Sequence, residues 1–387
     1  MTTPGAEPPH PAATLGEIAL AARSRLPAPV WNYLMGGADD EAALGRNRLA
    51  LDGLALAPRV LSGVTEVSTR ACVLGIPAAA PLFLAPIGSL GLLDPGGAAA
   101  ATAAAARLGI PAFVSIMSQP HFAQVAARVP APGALVLQLY ARGDDAWLAA
   151  RAAEARDAGF GALCVTVDTA WYARRERDLA ARFARHQAVD RPAVDDRAGA
   201  EGDRRQAAFD WRALEKFIAG AGLPVAVKGI LRPDDARRAV ECGAAAVYLS
   251  NHGGRQLDHA RAAVEALEAV RDAVGPSVEL LVDGGFLRGA DVLKALALGA
   301  RAVGLGKFQG LGLAAGGAPA LTRALELLLE ELRIAMALCG AASPERLSRD
   351  LVVAAAPLPP RGAPLLTDAV AEVLAAARSP LPEGAQA

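Results

Sequence analysis

Eight short apolar runs alternate with helix-favouring segments along most of this 387-residue chain, and that alternation limits the fold more than any other feature. The runs are Leu82–Pro86, Ala112–Ser115, Leu135–Tyr140, Ala162–Asp168, Val225–Gly229, Ala246–Ser250, Leu280–Gly284 and Ala302–Gly306. Each has the length and character of a strand buried on both faces. Between them lie Ala-rich stretches, among them Gly97–Leu108, Asp145–Ala158, Pro233–Cys242, Ala262–Val274 and Asp291–Leu298. Repeated strand–helix units require a parallel sheet, and eight of them predict an α/β fold of the (β/α)8 TIM barrel type. A doubly wound open sheet shares the alternation. The barrel is favoured because nearly every run ends in a polar residue: Ser115, Gln138 with Tyr140, Thr166 with Asp168, Lys228, Ser250 with His252, Asp283 and Lys307. A barrel gathers such ends on one face, where its active sites sit.

Ahead of the barrel, the pattern predicts a helix over Leu15–Arg25 and a shorter one stopped by Gly36 and Gly37. Trp31 and Tyr33 in the latter read first as core residues. The expected organisation is a disordered start (1–13), one barrel domain with its N-terminal helices (14–350), and a Pro- and Ala-rich tail (351–387). Leu321–Cys339 reads as a long helix. The connection from Asp168 to Lys228 is the longest in the series and holds a charge-dense segment, Arg174–Gln206, expected as a mobile lid or a plain solvated loop.

A chain that is 53% hydrophobic and 20% charged can build a large core. Its formal net charge of -1 leaves no basic excess for nucleic acid. No apolar run reaches the roughly 18 residues of a membrane span, and the start lacks the apolar stretch of a secretory signal. Cys72, Cys164, Cys242 and Cys339 show no paired spacing, so they read as reduced packing thiols rather than metal ligands or disulfides. The expected location is cytoplasmic.

The chemistry centres on Val247-Tyr248-Leu249-Ser250-Asn251-His252-Gly253-Gly254-Arg255-Gln256-Leu257-Asp258. It presents an imidazole and a guanidinium at a strand end, with a bare backbone between them that a flat ligand can approach. Such a pair can divide the work on a hydroxy acid, one taking a proton and the other holding a carboxylate. A solvated strand-to-loop turn is the bland reading. Lys228 at a neighbouring strand end can stabilise developing negative charge or simply snorkel. Asp168 can orient His252 or cap a loop. Asp283-Gly284-Gly285 and Gly304-Leu305-Gly306-Lys307 end the seventh and eighth strands, where barrels commonly seat a phosphate.

Ser250–Asp258 resembles the active-site signature of the FMN-dependent α-hydroxy acid oxidising enzymes, which include glycolate oxidase, lactate oxidase, lactate 2-monooxygenase and mandelate dehydrogenase. The similarity runs from about Leu26 to Gly340 and includes Tyr33, Gln138-Leu139-Tyr140, Thr166–Thr169, Arg174-Arg175-Glu176 and Val227-Lys228-Gly229. It implies oxidation of an (S)-2-hydroxy acid to a 2-keto acid in a barrel holding FMN, with O2 or another acceptor reoxidising the flavin. By that resemblance His252, Asp168, Tyr140 and Lys228 are the catalytic set. Tyr33, Arg175 and Arg255 bind the substrate carboxylate, and Met117 and Tyr172 shape its side-chain pocket. Pro86, Ile87, Gly88, Ser115, Gln138, Thr166, Lys228, Ser250, Asp283, Gly284, Gly285, Gly306 and Lys307 contact FMN. A homo-oligomer, such as a tetramer, is implied as well.

Five departures stand out. Leu287 falls where the family has a phosphate-side arginine, and Lys307 replaces a second one, which predicts weaker FMN retention with Arg288 as a compensating residue. Met117 replaces the tryptophan of glycolate oxidases. Trp171 and Tyr172 replace smaller residues, so the expected acid is not simply glycolate. Gly88 stands where the oxidases usually carry alanine, and extra room there would permit lactate-2-monooxygenase-like decarboxylation. Two readings compete with turnover of a hydroxy acid: a flavin-poor paralogue that binds a carboxylate, and another FMN- or phosphate-binding barrel enzyme.

Overall fold

The computed structural model describes residues 11–183 and 200–356. Eight parallel strands close into a barrel in chain order: Leu82–Leu84, Ala112–Ser115, Leu135–Leu139, Ala162–Thr166, Val225–Ile230, Ala246–Leu249, Glu279–Val282 and Ala302–Leu305. The last strand pairs with the first through Val303 and Leu82, so the open-sheet alternative is excluded. Most strands stop a residue or two before the polar ends of the apolar runs, because those residues already belong to the loops that build the mouth. The alternating helices include Gly97–Arg107, Asp145–Asp157, Pro233–Glu241, Ala263–Val274 and Gly289–Ala297.

Two apolar layers hold this arrangement. The outer one lies between strands and helices, with Leu137, Leu163, Val227, Val247 and Val303 fully buried. The inner one fills the barrel. Phe83, Phe113 and Tyr248 pack as a cluster, Tyr248 meeting the other two edge to face at centroid distances of 5.3 and 5.9 Å. Ala162, Ala226, Ala246 and Ala302 line the same interior and leave volume for the rings. An antiparallel hairpin, Ala71–Val73 with Ile76–Ala78, adds Val73, Ile76 and Ala78 to this inner cluster and stops the N-terminal end of the barrel. Only the C-terminal end is left to hold a ligand.

The helix Leu15–Arg25 is capped by Thr14, whose side chain accepts from the Glu17 backbone N–H, and it lies along the stretch Lys307–Leu338. The stretch Lys307–Leu338 is two helices, because its backbone leaves helical geometry at Gly316 and Gly317, just ahead of Pro319; the second runs to Leu338, close to the expected Leu321–Cys339. Two further helices, Ala28–Met35 and Ala42–Asp52, lean toward the barrel mouth; the second is absent from the sequence pattern. The tail expected from residue 351 is corrected at its start, because Val352–Ala354 pairs antiparallel with Leu54–Leu56. Of the expected lid, Glu176–Ala180 and Ala200–Ala208 are helical. Residues 184–199, the start at 1–10 and the tail from 357 lie outside the described residues. Among the described residues no helix is long and apolar enough to cross a membrane, and no His, Cys, Asp or Glu cluster could hold a metal ion.

Candidate active site

A cavity of about 580 Å³ opens at the C-terminal ends of the strands, within the range of small-molecule and cofactor sites. The polar strand ends meet there as the barrel geometry requires. Of the residues singled out in the sequence, Tyr33, Pro86, Ile87, Gly88, Ser115, Met117, Tyr140, Tyr172, Arg175, Lys228, His252, Arg255, Asp283, Gly284, Gly285, Gly306 and Lys307 all line it.

His252 follows the sixth barrel strand in the left-handed region (φ +58°), ahead of Gly253 (+64°) and Gly254 (+75°). Three such residues in a row turn the chain sharply and aim the imidazole at the cavity. The turn is held by the Ser250 hydroxyl, which accepts from the His252 backbone N–H at 3.0 Å, and by the Asn251 side-chain oxygen, which accepts from that of Gly254 at 3.0 Å. Gly254 has no room for a side chain, since a Cβ there would stand 2.5 Å from Leu44 Cα. Asp258, at the end of the motif, accepts from the backbone N–H groups of Asp40, Ala42 and Ala43 and so seats the helix Ala42–Asp52 against this loop.

His252 Nδ1 lies 2.9 Å from Asp168 Oδ1, which leaves Nε2 for the cavity. Burial lowers the His252 pKa from its ordinary value, reinforced by Lys228 and Arg175 and opposed by Asp168. Burial alone would raise the Asp168 carboxyl, but His252 and Lys228 outweigh it and hold it below its ordinary value. The resting pair is therefore a neutral imidazole, protonated on Nδ1, against a carboxylate. Lys228 is buried too. Burial would lower its pKa, yet Asp283 and Asp168 hold it above the ordinary lysine value, so it stays charged. It donates to Ser250 Oγ at 2.9 Å.

Arg255 donates through Nη1 to the backbone carbonyls of Tyr33 (2.7 Å) and Gly36 (2.8 Å), and its guanidinium stands 4.8 Å from the centre of the Tyr33 ring. One edge of the fork is thus fixed to the N-terminal helix. Arg175 stands at the N-terminal cap position of the short helix Glu176–Ala180, whose first turn is tied down by Arg177, which donates to partly buried Glu41 at 2.5 Å. Lys307 opens the first of the two helices in Lys307–Leu338 and donates to the Gly36 carbonyl at 3.2 Å. Burial, with Arg255 close by, pushes its pKa well below the ordinary lysine value.

The cavity fits a flavin mononucleotide. Gln138 donates to Thr166 Oγ1 at 3.0 Å, while its own side-chain oxygen is buried without a partner and suits a flavin ring N–H. At the other end, Gly306 leaves open space where a Cβ would stand, and Gly284 (φ +100°) and Gly285 (φ +85°) present backbone rather than side chains. Thr166, Gln138 and Ser250 are buried at the strand ends and are not among the residues that line the cavity.

Three expectations need correction. Arg288 does not line the cavity; its guanidinium is 2.6 Å from Glu331, so it cannot take the place of the arginine missing at Leu287. Trp171 is 84% exposed and outside the lining, so of the Trp171-Tyr172 pair only Tyr172 shapes the pocket. Nor is there spare room beside Gly88, because a Cβ there would stand 2.9 Å from Met117 Cβ. The space expected there is already filled by the neighbouring loop.

The sequence reading missed Arg48 and Arg142, which also line the cavity. Arg48 binds Asp291 and Asp52 and donates to the Gly285 carbonyl at 2.9 Å, holding the glycine turn in place. Arg142 donates to the Tyr172 hydroxyl and to Asp203, both at 2.9 Å. Neither position sits in a recognisable pattern. Only the partners brought by the fold make them visible.

The profile of the family described as FMN-dependent dehydrogenase matches residues 22–354. A 4-hydroxymandelate oxidase of Amycolatopsis orientalis is 39% identical over 344 residues, 85% of this chain and 95% of the relative. An L-lactate oxidase of Nostoc sp. is 37% identical over 342 residues, 84% of this chain and 94% of the relative. A mandelate oxidase variant solved with an FMN adduct superposes with a TM-score of 0.79 at 39% identity, over 86% of this chain and 97% of that one. The chain belongs to the FMN-dependent α-hydroxy acid oxidase family, whose members use FMN to oxidise a 2-hydroxy acid to the keto acid.

Proposed function

We propose that this protein is an (S)-2-hydroxy acid oxidase that returns the electrons to O2 as peroxide and releases the keto acid intact. The observation that carries the reading is His252, held 2.9 Å from Asp168 and facing one cavity with Arg255, Arg175 and Lys228. FMN, when bound, supplies the two-electron acceptor. Arg255 and Arg175 hold the substrate carboxylate, a planar anion suited to guanidinium forks, and Tyr33 flanks it. Tyr140 lines the same wall and bonds the substrate oxygen. His252 takes the substrate's proton on Nε2, and Asp168 stabilises the imidazolium that results. Lys228 places a buried positive charge where negative charge builds up on reduction.

The filled space beside Gly88 speaks for an oxidase over a decarboxylating monooxygenase, which would need room to retain its keto acid. Met117, Tyr140 and Tyr172 give the side-chain pocket a broad apolar wall. An acid with an aryl or other bulky side chain suits it better than glycolate does. The test is turnover of mandelate, lactate and glycolate with products counted. The reading expects anaerobic bleaching of the flavin, fastest with the bulky acid, followed in air by one peroxide and one keto acid per substrate. Carbon dioxide and the shortened acid in place of peroxide would establish the monooxygenase, and bleaching without O2 consumption would establish a dehydrogenase. We place the protein in a homo-oligomer, by the same resemblance, for sedimentation to check.

A further inference from the structure

Tyr248 is fully buried inside the barrel, its ring packed against Phe83 and Phe113. Packing accounts for the ring but not for the hydroxyl. That hydroxyl donates to Asp283 Oδ2 at 2.8 Å, while Ser250 donates to Asp283 Oδ1 at 2.6 Å. Both carboxylate oxygens are therefore held by neutral donors. Lys228, which donates to Ser250 and stands 5.3 Å from the centre of the Tyr248 ring, stays 3.9 Å from Asp283 Oδ2 rather than in contact with it. The eighth barrel strand makes room for this arrangement, since a Cβ on Gly304 would come within 2.6 Å of the Tyr248 hydroxyl. Burial and the facing carboxylate keep the phenol protonated, so it is a permanent donor.

We propose that Tyr248 is a positioning residue for the flavin's redox poise: its hydroxyl holds the Asp283 carboxylate off Lys228, so that the ammonium charge acts on the cavity instead of being cancelled beneath it. The inference rests on the placement of Lys228 beside the flavin given above. In a buried site the field of one charge depends steeply on how closely its counter-charge approaches. With the tyrosine donor removed, Asp283 keeps one neutral donor and turns its free oxygen to the nearest cation, Lys228. Reduced flavin, which carries negative charge, then loses part of its stabilisation.

The test compares the FMN-loaded wild type with Tyr248→Phe and Asp283→Asn in two spectroscopic titrations. One follows bleaching by sulfite, which binds oxidised flavin more tightly when positive charge is near; the other is dye-equilibrated anaerobic reduction. Tyr248→Phe should bind sulfite about tenfold more weakly and titrate about 30 mV lower, the two-electron equivalent of a tenfold change. Asp283→Asn, which removes the counter-charge, should move both readouts the opposite way. Loss of packing alone would not produce opposite signs. Unchanged titrations in Tyr248→Phe beside shifted ones in Asp283→Asn would overturn the role of Tyr248 alone. If neither variant moved either titration, the placement of Lys228 beside the flavin would fall with it.

Discussion

His252 holds a left-handed backbone (φ +58°) that side-chain-bearing residues rarely adopt, a conformation costing on the order of 1–3 kcal/mol and typical of residues held for their chemistry. What the strain secures is an imidazole fixed between Asp168 and the cavity. Its pKa is lowered by burial, which sets the sign of a pH effect. The base must be neutral to take a proton, so kcat/KM should rise with pH along an acid limb centred below the ordinary histidine value of about 6.5. An acid limb centred above pH 7 would contradict the assignment. Asp168→Asn removes the charge that opposes burial and can also present an N–H to Nδ1, stabilising the wrong tautomer. It should shift the limb to lower pH and cut kcat by about 10² to 10⁴, the usual contribution of a placed base. The residue types of this pair were readable from the sequence, as were their positions at two strand ends. Their 2.9 Å approach was not, because it depends on the turn at Gly253 and Gly254.

At the scale of elements, the two arginines proposed to hold the substrate carboxylate are positioned from opposite sides. Arg255 comes from a barrel loop and leans on the carbonyls of Tyr33 and Gly36, while Arg175 starts the short helix Glu176–Ala180. The Arg177–Glu41 pair joins the two sides, with side chains only 13% and 11% exposed. Glu41 also accepts from the Gly37 backbone N–H at 2.9 Å. Removing one partner of a buried pair leaves the other charge uncompensated, so Glu41→Gln should loosen the helix that carries Arg175. The expected result is a KM raised about tenfold with a much smaller fall in kcat, the mark of lost substrate binding rather than lost chemistry. A fall in kcat at constant KM would place the effect elsewhere. None of this was legible beforehand. Glu41 sits in a left-handed turn (φ +63°), and the helix that follows, Ala42–Asp52, has no side-chain cap of its own. It is seated by Asp258, more than two hundred residues away in sequence. The strand Val352–Ala354 was hidden for the same reason, being three residues long with a partner near the other end of the chain. Strong local periodicity exposed the barrel strands, whereas elements specified by distant partners carried no local signal.

The whole molecule converges on its cavity: residues from Tyr33 to Lys307 line it, drawn from an N-terminal helix and from the ends of the barrel strands. A ligand there binds the folded chain and has no counterpart site in the unfolded one, so FMN should stabilise the protein by about 2.7 kcal/mol at a hundred times its dissociation constant. The melting temperature should then climb with the logarithm of FMN concentration. The phosphate end limits this effect. Leu287 lines the cavity, Arg48 is committed to Asp291 and Asp52, and Arg288 to Glu331, leaving half-buried Lys307 as the remaining basic side chain beside Gly306. Leu287→Arg should restore a planar fork for the phosphate and tighten FMN roughly tenfold or more, since hydrogen bonds to charged groups contribute about 1.5–3 kcal/mol. The apoprotein of that variant should be less stable than wild type, because an arginine replaces a side chain only 5% exposed. The informative quantity is therefore the rise in melting temperature from apoprotein to FMN-saturated protein, measured for each. A larger rise in Leu287→Arg would mark Leu287 as the point where this chain gave up grip on its cofactor. Equal rises would put the phosphate beyond the reach of residue 287.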